Sequence, residues 1–466
     1  MSKNSTAKNI FNVFSSQVGI TLVGLVTTLV FPKIMEMEEY ALYQTYYLYL
    51  SYITILHLGF PDGMHVKYAG KSFDTIDRGK YKGEIRLLLI ILALFSAVLL
   101  GVGFAIGNKM LLMVAISVIP YVFVTSYINV IQALGEFKRS ATMQFLVSFL
   151  RCLIALLLFV GMGYIAGNTY IWVYWGVYAV FFLWVLVENY RYGKGYKTES
   201  KLLTDDNRDT IKLGMSMCIG NYVNNLFHAV DQQYIKIFFD SSKFAVYSFA
   251  LSLNMIMTIF ITSFTQPLYY KIASEGSEEK ALKEMKEYLF MFGIFASCAF
   301  YACSVFVKLF LPKYLESLDV IAVYFMVFPA MAVINCLYLN LYKIRKKTKK
   351  YLLNITSMLL LAIVANAIVI VLKLDYLYIA AVTVLVYYVW LFIGTIDFKE
   401  LRITFKEIVF LSVFVAEYIL LIWVLPLNDW LGLLCALVCN VALCLIFYRH
   451  KIRKLYEVFL KRKVRK

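Results

Sequence analysis

Long apolar runs separated by short polar stretches set the pattern of this chain. Most runs are near twenty residues long and hold few charges. About 20 residues of α-helix cross the hydrocarbon core of a bilayer. Membrane β-strands would instead alternate over about ten residues, and these runs do not alternate. The runs at 10–32, 40–60, 87–107, 111–132, 142–164, 170–190, 211–238, 244–270, 287–310, 318–341, 351–372, 376–396, 407–426 and 430–448 predict about fourteen transmembrane helices. The fold class is an all-α polytopic membrane protein, because backbone groups in lipid must pair internally and a helix pairs its own. The fourth and seventh spans carry the most polar residues.

Composition agrees with lipid as the main solvent. Of 466 residues, 61% are hydrophobic and 16% charged, against roughly half and a quarter in soluble domains. The 46 Lys and Arg concentrate on alternate loops, as the positive-inside rule requires of cytoplasmic segments. One such loop holds Lys67, Lys71, Arg78, Lys80, Lys82 and Arg86, another Lys343, Arg345, Lys346, Lys347, Lys349 and Lys350, and the tail from Arg449 to Lys466 is basic. Both termini are expected in the cytoplasm. The net charge of +17 then reflects orientation and attraction to anionic lipid heads, and no nucleic-acid partner is expected. The polar N-terminus lacks a small-residue cleavage pattern, so the first span reads as retained.

Chemistry is sparse. The eight cysteines all fall in apolar runs and read as small buried residues. The four histidines are scattered, and no metal site is expected. Gly70–Lys71–Ser72 resembles the end of a phosphate-binding loop, but His65 stands where its first glycine is needed. The loops are too short for a catalytic domain, so the chain is not expected to be an enzyme.

The halves repeat weakly. Lys33–Ile34 followed by Tyr40–Ala41–Leu42–Tyr43 matches Lys236–Ile237 followed by Phe244–Ala245–Val246–Tyr247. Basic loops recur similarly at Gly135–Arg139 and Lys343–Lys350. An even number of spans separates the copies, which makes a parallel repeat of a transporter type. The expected organisation is a six-helix lobe at 1–192, a linker at 193–210, a second six-helix lobe at 211–398, two further helices at 399–448 and a basic tail at 449–466. In the seventh span Asn221, Asn224, Asn225, His228, Asp231 and Gln232 recur at three- and four-residue steps and form one polar stripe. In the first span Gln17, Thr21, Gly24 and Thr28 form a milder one. Such stripes face a wet cavity or bond helix to helix.

Three stretches carry a family likeness: Leu58–Gly59–Phe60–Pro61–Asp62–Gly63 running to Lys67–Tyr68–Ala69, Asp231 with Ile235–Tyr247, and Phe310–Leu311–Pro312–Lys313–Tyr314–Leu315–Glu316. With the spans and the repeat, the chain resembles the polysaccharide-export flippases of Wzx type, which share the fold of the multidrug and toxic compound extrusion (MATE) transporters. That resemblance implies movement of an undecaprenyl-diphosphate-linked oligosaccharide across a bacterial inner membrane by alternating access, for O-antigen, capsule or a similar polymer. It implies no cofactor, H+ or Na+ as the coupling ion, and a polymerase and glycosyltransferases as pathway partners. A drug antiporter of the same fold and an intramembrane polysaccharide-modifying enzyme are the alternatives.

A diphosphate needs cations, and arginine fits its geometry best. Arg151 lies well inside the fifth span. Lys33 and Lys236 stand at the outer ends of the first and seventh spans, and Lys67 and Lys271 at inner mouths. These five, with Gln17, Asn221, Asn224 and Asn225, are the candidate substrate contacts; for the lysines, snorkelling to the interface is the alternative. Asp231 with His228 is the candidate ion-coupling pair, and an ion pair of Asp231 with Lys236 the structural alternative. The tyrosines of the second span (Tyr43, Tyr46, Tyr47, Tyr49, Tyr52) suit either sugar stacking or packing.

Overall fold

The computed structural model describes residues 3–197, 203–262, 279–425 and 427–464. Regular structure among these residues is all helix. The α-helices are α1 Lys3–Ile34, α2 Met37–Ile53, α3 Phe60–Tyr68, α4 Arg78–Ile106, α5 Lys109–Ser117, α6 Phe123–Ala133, α7 Phe137–Met162, α8 Gly167–Tyr192, α9 Asp205–Phe238 and α10 Ser241–Thr262. They continue with α11 Glu279–Ser297, α12 Ala299–Phe310, α13 Ser317–Phe325, α14 Phe328–Val333, α15 Leu339–Ile344, α16 Thr348–Val371, α17 Leu377–Asp397, α18 Phe405–Ile419 and α19 Asp429–Val464.

Ten of these helical stretches are long and apolar enough to cross a membrane, or eleven if the pair Ser317–Phe325 and Phe328–Ile344, bent by 51°, is one span. The chain is a multi-pass membrane protein. The first, second and seventh expected spans are helical but lie outside this set. The described apolar part of α1 is short, α2 stops at Ile53, and α9 is too polar.

Contacts divide the chain into two units: Met1–Lys236 with Asp240–Ala245, and Ile237–Phe239 with Val246–Lys466. The sequence places the divide in the linker at 193–210. In the structure α9 packs within the first unit, and the reason lies in three glycines. The second expected span breaks after Ile53 into a short 3-10 turn, and Leu58 and Gly59 both take left-handed backbone (φ 53° and 70°). Pro61 then opens α3 at a position where its missing N–H costs nothing. A Cβ on Gly59 would come within 2.7 Å of the Gly214 carbonyl carbon, and Cβ atoms on Gly63 and Gly214 would run into the Thr210 and Gly59 carbonyl oxygens. Gly59 and Gly63 thus form a small-xxx-small pair that lets α3 meet α9 backbone to backbone. Tyr52 adds a second tie, donating to Gln233 Oε1 at 3.1 Å.

Other expected spans carry breaks as well. The fourth is α5 and α6 joined by a π turn at Val118–Val122 containing Pro120, and the tenth bends before Pro329 and holds a π turn at Ile334–Tyr338. In the second unit Lys286 of α11 is buried and donates to Glu407 and to the carbonyls of Leu401 and Arg402. That fully bonded cation fixes α11 to the start of α18.

The two units share a device at matching places. After α6, Gly135 (φ 81°) closes the helix, and Glu136 N–H donates to Ile131 O; after α15, Lys346 (φ 52°) does the same, with Lys347 N–H donating to Tyr342 O. Just beyond, Arg139 of α7 pairs with Glu188 of α8 and donates to the Tyr127 hydroxyl at 2.5 Å. In the second unit Lys350 of α16 pairs with Asp397 of α17 at 3.0 Å, and the Tyr342 hydroxyl donates to the same carboxylate at 2.7 Å. A tyrosine, a base and an acid thus tie three consecutive spans in each unit, which supports the internal repeat.

The glycine crossing is testable. Gly214→Ala should overpack it and destabilise the protein by about 1–3 kcal/mol, read as a lower melting temperature in detergent. Gly220→Ala on the same helix, where nothing lies within 4 Å of the new Cβ, should be neutral or stabilising.

Candidate functional site: a cavity and an arginine–tyrosine chamber in the first unit

The crossing of α3 and α9 opens a cavity of about 370 Å³. One wall comes from the break after α2 and from α3, with His57, Asp62 and His65; another from α6, with Thr125 and Asn129; a third from α9, with Cys218, Asn221 and Asn225. His65 Nδ1 lies 3.0 Å from the Asn129 carbonyl oxygen, which joins α3 to α6. A second cavity of about 280 Å³ shares Thr125 and Asn129 with the first and continues along Gln144, Val147 and Ser148 of α7 to Tyr178 of α8. One turn past Val147 stands Arg151.

Arg151 is held among aromatic rings. Its Nε donates to Val147 O at 3.3 Å, and its guanidinium carbon lies 4.2 Å from the Tyr174 ring centre and 5.6 Å from that of Tyr178. Such cation–π contacts hold a guanidinium without neutralising it. The rings extend outward: Tyr174 stacks on Tyr178 at 5.2 Å, Tyr121 meets Tyr178 at 5.0 Å, Tyr46 meets Tyr174 at 5.6 Å, and Tyr43 meets Tyr170 at 4.9 Å. No carboxylate pairs with Arg151 among the described residues. Tyr121 and Tyr178 line the two cavities, while Tyr46, Tyr170 and Tyr174 are buried behind them. The cluster sets a fixed positive charge one turn beyond the second cavity, a charge that suits a phosphate.

The other expected site residues divide. Asn221 and Asn225 line the first cavity. Asn224 is half-buried, Asp231 is buried at 3% exposure, and His228 is exposed beside the Phe227 ring. Lys33 is exposed at the end of α1, and Lys236 lies over the Phe244 ring at 5.3 Å. Lys271 and the side chain of Gln17 fall outside the described residues. The expectation for Lys67 needs revision, because its charge is already engaged. It donates to Glu84 Oε1 at 2.5 Å and to Asp206 Oδ2 at 2.6 Å, while the Tyr68 hydroxyl donates to the other Glu84 oxygen. This cluster ties α3, α4 and the start of α9. The hydrogen bond from Lys67 holds the Asp206 carboxyl below its ordinary range. The tie is therefore fully present above the ordinary carboxylate range and is lost as pH falls through the lowered one.

Sequence reasoning missed several residues. Tyr170, Tyr174 and Tyr178 recur every four residues, a one-face spacing that could have flagged them. Asp62 stands in the Gly59–Phe60–Pro61–Asp62–Gly63 stretch, and nothing in its spacing marks it as part of a site. The scattered His57, Asp62 and Cys218 come together, with one donor atom of each within 4.8 Å of the others. His57 Nδ1 accepts from the Gly59 N–H at 3.1 Å and lies 3.9 Å from Asp62 Oδ2.

The family model described as polysaccharide biosynthesis protein matches residues 6–272, more than half of the chain. The chain belongs to the polysaccharide biosynthesis protein family. The structure of a lipid II flippase, MurJ, in an inward closed conformation is similar to this member of the family with a TM-score of 0.69 at 15% identity, covering 94% of this chain and 99% of that one. An inward-facing multidrug resistance MATE transporter matches with a TM-score of 0.57 at 12% identity, over 84% of this chain and 94% of its own. The MATE multidrug transporter DinF-BH matches at 0.52 and 13%, over 84% and 95%. No curated protein matches in sequence. The family member thus shares its fold with a lipid II flippase and with MATE transporters.

The engaged lysine gives a prediction. Lys67→Ala leaves Glu84, only 1% exposed, as a buried charge without its cation, a change that costs about 3–5 kcal/mol. Adding Glu84→Gln should restore much of that loss in a double-mutant cycle of thermal unfolding.

Proposed function

We propose that this protein is a flippase that carries an undecaprenyl-diphosphate-linked oligosaccharide from the inner to the outer leaflet of the bacterial cytoplasmic membrane, by alternating access, for a surface polysaccharide such as O-antigen or capsule. The observation that carries the reading is the chamber around Arg151. A fixed guanidinium with no pairing carboxylate among the described residues attracts a diphosphate and repels a cationic drug. Tyr121 and Tyr178 line the neighbouring cavities, and Asn221 and Asn225 give the first of them polar groups for sugar hydroxyls. Membership of the polysaccharide biosynthesis family and the flippase-like fold support the same reading. The proposed protein partners are the glycosyltransferases that build its substrate and the polymerase that uses the exported unit. Asp231 and His228 are the proposed coupling positions for H+ or Na+, and Lys33, Lys236 and Lys271 the proposed outer and inner phosphate attractors.

The test is a deletion strain complemented with variants, scored by lipid-linked oligosaccharide retained on the inner leaflet and by surface polymer. Arg151→Ala is expected to lower surface polymer about tenfold or more, because a charge-assisted phosphate contact contributes about 1.5–3 kcal/mol. Arg151→Lys should be intermediate, since an ammonium keeps the charge but not the planar fork. Full complementation by Arg151→Ala, with no retained intermediate, would remove the chamber from the mechanism. Asp231→Asn should make export insensitive to the ion gradients; normal export with unchanged gradient dependence would assign Asp231 a structural role.

A further inference from the structure

A groove of about 250 Å³ runs between α4 and α8, apart from the cavities already described. Its length is apolar, formed by Ile85, Leu89 and Leu186. Lys82 and Arg86 stand at its edge, four residues apart on one face of α4. Neither has an ion-pair partner among the described residues, whereas nearby cations are engaged. Arg78 lies over the Tyr192 and Tyr196 rings, Lys67 pairs with Glu84, and Arg139 pairs with Glu188. Gly193 makes room for one of the two: a Cβ there would come within 3.0 Å of Lys82 Cδ, so the lysine stem lies across the end of α8. Tyr81, which also lines the groove, is 1% exposed, and its hydroxyl has no hydrogen-bond partner among the described residues.

We propose that this groove binds an anionic glycerophospholipid, with its phosphate against Lys82 and Arg86 and one acyl chain along Ile85, Leu89 and Leu186. The charges favour that occupant over a zwitterionic lipid. Two cations one turn apart at the end of an apolar intramembrane cleft complement a single phosphate. Basic pockets between spanning helices on the cytoplasmic side recognise anionic heads in this way. The guanidinium can take two phosphate oxygens while the more flexible ammonium supplies charge. The groove lies on the end of α4 that the charge asymmetry assigns to the cytoplasm, so the lipid would come from the inner leaflet. The proposal does not depend on what the Arg151 chamber carries.

The experiment uses full-length purified protein and native mass spectrometry of retained phosphatidylglycerol, phosphatidylcholine or undecaprenyl phosphate. Wild type should retain phosphatidylglycerol in preference to phosphatidylcholine. The Lys82→Gln/Arg86→Gln double variant, which keeps the polar length without the charge, should weaken that retention about thirtyfold. Leu89→Trp, which fills the groove and leaves both charges, should also weaken it. Equal retention of phosphatidylcholine, undiminished retention by the double variant or by Leu89→Trp, or preferential retention of undecaprenyl phosphate at this groove would each overturn the proposal. Flipping by the Arg151 variants is scored separately, so failure here leaves the chamber's reading standing.

Discussion

Inside lipid a backbone amide released from a helix has no water to bond, and every break in a spanning helix must find its partner within the protein. The break after α2 meets this demand locally. The Gly59 N–H donates to His57 Nδ1, the Leu58 N–H donates to Ile55 O, and Pro61 removes a donor at the start of α3. The π turns at Val118–Val122 and Ile334–Tyr338 keep the chain bonded through their bends. Because the first break is satisfied by its own residues, the backbone is free to approach α9, and Gly63 and Gly214 remove the side chains that would prevent contact. The cavity beside that crossing, and the place of Asn221 and Asn225 in its wall, follow from this one approach.

Charge is arranged by the same economy of solvent. Several cations near the ends of the helices are matched: Lys67 by Glu84 and Asp206, Lys286 by Glu407 and two carbonyls, Lys308 by Asp429. A buried cation left without a partner would be costly. Arg151 avoids the full cost without a counter-ion among the described residues, since tyrosine rings and one carbonyl satisfy part of its charge and leave the rest available. That difference separates a charge spent on holding helices together from one that keeps part of its bonding capacity. Lys67 and Arg151 look alike as basic residues near spanning segments, and only their neighbours distinguish them.

The matched ties of Tyr127, Arg139 and Glu188 in one unit and Tyr342, Lys350 and Asp397 in the other give the internal repeat a physical content. Each sits just after a left-handed helix end, where the chain reverses and the next two helices must be held at their tips. Arg answers Lys and Glu answers Asp, so the arrangement of charge recurs while the residue types do not. A comparison of letters sees little of this, because chemically equivalent substitutions and small shifts in spacing hide it.

The sequence by itself determined the helical class, the passage through a membrane, the polar face of α9 and the isolation of Arg151 within an apolar run. These follow from local properties: the length of apolar runs, the periodicity of one helix and the cost of charge in lipid. The tertiary structure decided what each polar residue meets. It joined His57, Asp62 and Cys218 from distant positions, engaged Lys67 in an ion-pair cluster, surrounded Arg151 with the tyrosines of α2 and α8, and drew α9 into the first unit. Those outcomes depend on which helices touch and where side chains are small enough to let them. That is a property of pairs of helices far apart in the chain, and no single stretch of sequence holds it.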